Sequence, residues 1–317
     1  MSNVELSELI ERSVKHIKSH KIQDNLGIRR KLIQSIREFM INEGFVEFET
    51  PVLSGRLQEY TAGQFIVRSE KGEEFHLVQS PQFFKQMLIT SGVQKYFQFS
   101  HCFRDEPHDV SRTDRMREFT QFDLEMVASR VDEIQSIVER LFSHIFATII
   151  GQKSSTFTNI SYSDAISKHG TDRPKIRPHH DTENTFVWVN SFPLAAQDSS
   201  GSIRLVRHPM AKPKRTPKNI IDACDIKTHS FDLVFDGIEI GSGDLRIDKP
   251  YEQEKIAKLM NLETQQFQPL VELLKCGCPP HGGIGIGLDR LAMMACEVDD
   301  IADVIAFPDW FGCMHRE

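Results

Sequence analysis

The period of the apolar positions changes repeatedly along the chain, and each change marks an element. From Ile28 to Met40 the residues Ile28, Leu32, Ile36, Phe39 and Met40 recur three or four apart with charged groups between them, which predicts a helix with one buried face. Gly44 ends it, and Phe45-Val46-Glu47-Phe48-Glu49 alternates as a strand until Pro51 closes the pattern. Glu74 to Val78 predicts a second strand, followed by a helix over Pro81 to Leu88 whose first turn tolerates the donor missing from proline. Tyr96 to Phe103 and Phe119 to Met126 read as an antiparallel pair around a polar loop. Val131 through Phe146 sets Ile134, Ile137, Val138, Leu141, Phe142 and Ile145 on one helical face. Strand patterns return at Thr185 to Asn190, Ile203 to Arg207 and Phe231 to Glu239. Met260 to Lys275 predicts a helix interrupted near Pro269, and Leu288 to Cys296 predicts another. Hairpins outnumber strand-helix-strand crossovers, so the expected fold is α+β, a mainly antiparallel sheet flanked by helices rather than a doubly wound one.

Composition narrows the function. The net charge of −7 argues against bulk nucleic-acid binding, DNA included, and leaves RNA only a local contact. No segment has the run of ~20 apolar residues that crosses a bilayer, and Met1 to Glu11 does not resemble a secretory signal, so a cytoplasmic protein without membrane contact is expected. The six cysteines lack a second pair at zinc-site spacing, and reduced thiols are expected. The basic run Lys212-Pro213-Lys214-Arg215-Thr216-Pro217-Lys218 reads either as a solvated loop or as a contact for phosphate or RNA. No repeat or linker divides the chain.

Chemistry concentrates in three places. Phe103-Arg104-Asp105-Glu106 ends one strand and Glu118 to Glu125 begins the next, so that Phe119, Gln121, Asp123 and Glu125 share a face. The loop between them, Pro107 to Arg117, adds Arg112, Arg115 and Arg117, cations suited to a polyphosphate. Asp232 and Glu239 lie on opposite faces of an ideal strand, and their convergence requires a turn or bulge near Asp236-Gly237. Glycines 283, 285 and 287 strip one side of a strand bare before Arg290 opens a helix, without the lysine of a Walker loop.

In this order the segments resemble the signature motifs of class II aminoacyl-tRNA synthetases, and within them the aspartyl enzymes. Gly44 to Leu53 resembles motif 1, Phe103 to Glu125 motif 2 and Gly283 to Leu291 motif 3. The resemblance implies ATP and Mg2+ as cofactors. It assigns Arg104 to the α-phosphate and the amino-acid carboxylate, Arg290 to the γ-phosphate, Arg115 to the phosphate tail, Phe119 and Glu106 to adenine, and Asp232 and Glu239 to magnesium. Gln79 to Gln86 resembles the aspartyl segment, which implies an L-aspartate site formed by Lys85 and Arg246, with Asp123 orienting Lys85. Ser80, Gln82 and Gln121 would hold the ammonium side, and Glu59, Arg207 and His208 complete the implied set. Arg207-His208-Pro209 departs from the family's His-His-Pro at its first position. Motif 1 implies a homodimer through Ile28 to Leu53.

The expected domains are a helical extension over residues 1–24 and a catalytic domain over 25–317. The residues before Gly44 are too few for the family's five-stranded anticodon-binding OB barrel, so a catalytic domain without it is expected, and Pro178 to Thr185 stands where bacterial members carry an insertion. The implied reaction is ATP-dependent formation of aspartyl-adenylate with release of pyrophosphate, followed by transfer to a noncanonical RNA or small-molecule acceptor. Alternatives are an aspartate-tRNA ligase, an ammonia-dependent asparagine synthetase and a noncatalytic regulatory subunit.

Overall fold

One eight-stranded sheet organises the chain. The structure is a computed structural model describing residues 3–55, 63–106, 112–151, 155–176, 184–198, 200–262 and 264–308. Its strands are β1 (Val46–Glu47), β2 (Leu53–Ser54), β3 (Ile66–Arg68), β4 (Glu74–Leu77), β5 (Lys95–Phe103), β6 (Glu118–Val127), β7 (Ser155–Ser161), β8 (Asn184–Asn190), β9 (Ala195–Gln197), β10 (Ile203–Leu205), β11 (Ser230–Phe235), β12 (Ile238–Leu245) and β13 (His281–Gly287). The helices are α1 (Asn3–Lys18), α2 (His20–Asn42), α3 (Gln82–Thr90), α4 (Val131–Ile145), α5 (Tyr162–His169), α6 (Ile220–Cys224), α7 (Pro250–Leu259), α8 (Thr264–Lys275) and α9 (Leu288–Cys296). The large sheet runs β1-β5-β6-β13-β12-β11-β8-β7; β2-β4-β3 and β9-β10 form small satellites. Its inner pairings are antiparallel, and only the outer pairs β1/β5 and β7/β8 are parallel.

Strand alternation divides the sheet into two unlike faces. Phe122, Leu124, Ile284, Ile286 and Phe231 point to α2, α4 and α9, where Leu32, Ile36, Ile134, Val138, Leu141 and Leu291 complete the main core. Each such side chain contributes about 1.5–3 kcal/mol by burial. The residues between them, Gln121, Asp123, Glu125, Ser242 and Asp244, are polar and floor the other face.

Some elements differ from the sequence pattern. Phe231 to Glu239 is a hairpin, because Asp236 (φ 47) and Gly237 (φ 83) both take the left-handed region that a tight two-residue turn requires. A register shift follows between Leu233 and Val234, so a turn and a bulge together bring Asp232 and Glu239 to one side. The helix expected over Met260 to Lys275 is α8 alone, preceded by α7, which the pattern did not predict. Asn261 (φ 50) marks the break. Pro269 stays inside α8, where burial of Phe267, Leu270, Val271 and Leu274 outweighs one lost backbone bond. Pro81 sits at the N-cap of α3 rather than within its first turn.

At the N-terminus, α2 runs unbroken through residue 24. The segment α1 packs on the body through buried Leu9 and through His16, whose ring nitrogen meets the Ile305 carbonyl at 3.0 Å. In the basic run Lys212 pairs with Asp248, Lys214 donates to Ser191 Oγ at 2.8 Å, and Arg215 grips Asp222 through both terminal nitrogens at 2.7 and 2.6 Å. Those cations face the protein's own acceptors. Among the described residues no helix is long and apolar enough to cross a membrane.

Candidate active site

Strand β13 lies between β6 and β12, and its glycines separate two rows of charged residues. Gly285 pairs with Asp123 on one side and Ser242 on the other, and Gly283 pairs with Glu125 and Asp244. A Cβ at Gly283 would fall 2.2 Å from Glu125 Oε2 and 2.1 Å from the Leu124 carbonyl, whereas one at Gly285 would sit 3.3 Å from Asp123 Oδ1. Glycine is therefore required at 283 for the carboxylate to pack, and at 285 it keeps the floor low. Above this floor opens a cleft of about 740 Å³, bounded by α3, the β5–β6 connection, the Arg207 loop and the start of α9.

One end of the cleft is a buried ion cluster. Lys85 Nζ lies 2.9 Å from Asp123 Oδ1 and 3.1 Å from Glu125 Oε2. Arg246 donates from Nε to Glu125 Oε1 at 3.0 Å and from Nη1 to Asp244 Oδ2 at 2.7 Å. Burial opposes every one of these charges. Nevertheless, the two carboxylates more than offset burial at Lys85 and raise its pKa, while Arg246 and Lys85 overcome burial at Glu125 and hold its carboxyl at about 2. Behind Glu125, His281 Nδ1 donates to the Pro279 carbonyl at 2.9 Å, Nε2 lies 3.2 Å from Gln86 Nε2, and burial lowers the ring's pKa.

The other end is basic and aromatic. The Arg104 guanidinium lies 5.1 Å over the Phe119 ring. Arg115 donates to Glu106 Oε2 at 3.1 Å. Arg290 is anchored by the Glu239 carbonyl at 2.7 Å and by Asp114 Oδ2 at 3.0 Å. Beneath the site, Asp289 accepts from Arg29 of α2 at 2.6 Å and from the Thr120 amide at 2.8 Å.

Arg207 closes one wall. Its Nη1 donates to Asp232 Oδ2 at 3.0 Å, Nη2 donates to Ser242 Oγ at 2.6 Å, and the guanidinium lies 4.3 Å over the Phe192 ring. The neighbouring His208 accepts from the Met210 amide at Nδ1, which leaves the proton on Nε2; burial, then the charge of Arg246, lowers its pKa to about 3. At Asp232 burial outweighs the charge of Arg207 and, with Glu239, raises the carboxyl to about 6. As a magnesium site the pair fits poorly, because a guanidinium lies against Asp232, whose Oδ1 accepts no hydrogen bond but sits 2.8 Å from Nη2, and Arg173 Nη2 lies 3.7 Å from Glu239 Oε2. Among the described residues no three His, Cys, Asp or Glu side chains group as metal ligands.

Four buried polar atoms on this cleft have no hydrogen-bond partner among the described residues: Arg104 Nε, Gln82 Nε2, His208 Nε2 and Asp123 Oδ2. Three are donors and one is an acceptor, a set that a small zwitterion with extra negative charge satisfies. Every residue expected at the site from the sequence lines this cleft or pairs with a residue that does, except Glu59, which lies outside the described residues. Ser80 Oγ accepts from the Gln82 amide at 3.3 Å and Gln121 Oε1 from Cys102 Sγ at 3.3 Å. Glu125, Asp244 and Asp114 belong to the site and were not assigned to it from sequence. The alternation of Gln121, Asp123 and Glu125 carried a signal for the first; Asp244 depended on an unseen register.

The antiparallel sheet thus floors a cleft with an acid-balanced cationic end and a basic, aromatic end. The family described as tRNA synthetases class II (D, K and N) matches residues 5–310, and the chain belongs to that family of ATP-dependent ligases. It is 28% identical to an aspartate–tRNA(Asp/Asn) ligase of Heliobacterium modesticaldum, over 91% of this chain and 69% of that one. With an aspartate–tRNA ligase of Fervidobacterium nodosum it shares 27% identity over 92% of this chain and 72% of the relative. The alignment with the first spans 423 positions, more than this chain's 317 residues, so the relative carries segments without a counterpart here. The crystal structure of asparaginyl-tRNA synthetase from Pyrococcus horikoshii complexed with asparaginyl-adenylate superposes with a TM-score of 0.75 at 20% identity, covering 95% of this chain and 71% of that one. That likeness establishes the fold.

Proposed function

We propose that the protein activates L-aspartate with ATP and transfers the aspartyl group to an acceptor. The observation that carries this reading is the pairing of Lys85 and Arg246 at the closed end of the cleft. Lys85 has three N–H donors, of which two face protein carboxylates, and Arg246 Nη2 reaches Glu125 only at 3.5 Å. The remaining donors suit a side-chain carboxylate. An amide there would present an N–H₂ group to cations, which disfavours asparagine.

In the proposed reaction an oxygen of the aspartate α-carboxylate attacks the α-phosphorus, the bond to the bridging oxygen breaks, and pyrophosphate leaves. Arg104 binds the α-phosphate and carboxylate, Phe119 and Glu106 hold adenine, and Arg290 and Arg115 take the phosphate tail. Catalysis is by positioning and charge neutralisation, with no protein nucleophile. Exchange of labelled pyrophosphate into ATP tests it: aspartate stimulates exchange, and equal stimulation by asparagine overturns the assignment.

For the acceptor, the relatives' names favour tRNA. A second reading, a noncanonical RNA or small molecule, is favoured by the relative's segments that this chain lacks. Incubating ATP and labelled aspartate with aspartate tRNA and a panel of amines and hydroxyl compounds separates the two. The working unit is proposed to be a cytoplasmic homodimer joined through the Ile28 to Leu53 region.

A further inference from the structure

The family resemblance assigns Asp232 to magnesium, yet in this chain Asp232 faces a permanent cation. We infer that Arg207 takes the place of a metal ion at Asp232, so that Asp232 anchors a guanidinium and the positive charge on this wall of the cleft belongs to the protein.

Four features fix the guanidinium. Asp232 Oδ2 accepts from Nη1 at 3.0 Å, while Oδ1 lies 2.8 Å from Nη2 as an ion pair without hydrogen-bond geometry. Ser242 Oγ, on the strand paired with β11, accepts from Nη2 at 2.6 Å. The Phe192 ring backs its face at 4.3 Å. The side chains of Arg207 and Asp232 are only 11% and 7% exposed, so displacing either partner leaves an uncompensated charge out of water. A divalent ion bound to Asp232 would also sit beside a guanidinium that cannot lose its proton.

The departure lies in the sequence as well. Where the family pattern has histidine, a residue able to be neutral and to leave a neighbouring carboxylate free, this chain has Arg207. The exchange removes the metal ligand and supplies a cation in one substitution. Glu239 is left as the single acid of the pair, with Arg173 Nη2 3.7 Å from its carboxylate and Arg290 on its carbonyl.

This inference uses the family's metal position and not the aspartate assignment. Its test omits the amino acid, so its failure leaves that assignment standing. Mn2+ binding to the full chain is measured by electron paramagnetic resonance and titration calorimetry. Asp232→Asn is expected to change Mn2+ affinity by less than ~2-fold, and Arg207→His to raise it at least ~10-fold, a gain that Asp232→Asn then cancels. Arg207→Lys keeps the charge though not the fork, and its Mn2+ affinity is expected to stay within ~2-fold of that of the unaltered protein. Loss of Mn2+ binding on Asp232→Asn alone, or no gain from Arg207→His, overturns the inference. Crystals of the unaltered protein soaked with Mn2+ and ATP give a reading independent of variant folding: an anomalous peak within bonding distance of Asp232 overturns it, and no peak there supports it.

Discussion

Lys85 shows how a single buried residue is held in its charged form. Its environment contains Asp123, Glu125 and Arg246, and the balance of those charges raises its pKa despite burial. Lys85→Ala leaves Asp123 without a cation and Glu125 with Arg246 alone, so a stability loss of about 3 kcal/mol is expected in urea titrations. In pyrophosphate exchange the same variant raises KM for aspartate about 100-fold or more and changes KM for ATP by much less, because the lost donor faces the amino-acid end. Two neighbours set a pH response. His208, depressed to about 3, and Glu125, depressed to about 2, both bind protons less readily in the folded protein than in the unfolded chain. Their contributions are whole above about pH 6.5 for the histidine and about 4.5 for the glutamate, and are lost as pH falls towards the folded values. Asp232, raised to about 6, acts in the opposite sense below that pH, so the histidine's part is read as a difference: between pH 7 and pH 4 the urea midpoint of the native protein is expected to fall more than that of His208→Gln.

The glycines of β13 give the element scale its sharpest contrast. Gly283→Ala puts a methyl group against a backbone carbonyl and a buried carboxylate, so β13 must move from β6; the loss should reach the upper end of the ~1–3 kcal/mol range for overpacked sites. Gly285→Ala meets only ordinary or slightly tight contacts, with Asp123 at 3.3 Å and Gln121 at 3.5 Å. Here melting temperature should hold within a few degrees while KM for substrate rises, as thermal melts and steady-state exchange would record. The sequence made β5, β6, α4 and α9 legible because their apolar periods are long and undisturbed. It also located the hairpin glycine and the need for a turn near it. What stayed hidden depended on partners distant in sequence. Asp244 reaches the site only through the β12–β13–β6 register, and Pro269 remains helical only because the core accepts four apolar neighbours. Local patterns carry no record of either.

For the whole molecule, the surface around motif 1 remains uncovered. Ile41 (55%), Val46 (51%), Val52 (36%) and Leu53 (46%) are exposed at the end of α2, on the edge strand β1 and at β2 of the small sheet, an arrangement that a two-fold contact would use. Sedimentation at micromolar concentration should find a dimer, and Val46→Lys with Leu53→Glu should give a folded monomer.

The Asp289 carboxylate ties α2 to the basic, aromatic end of the cleft. It holds Arg29 of α2 with one oxygen and the Thr120 amide, next to Phe119, with the other. In the proposed homodimer this side chain would connect occupancy of the cleft with association of subunits, and such a connection is reciprocal: whatever factor ATP applied to the dimer dissociation constant, dimerisation would apply to the affinity for ATP. Dimer dissociation measured with and without ATP should differ in the native protein, and Asp289→Asn should bring the two values together.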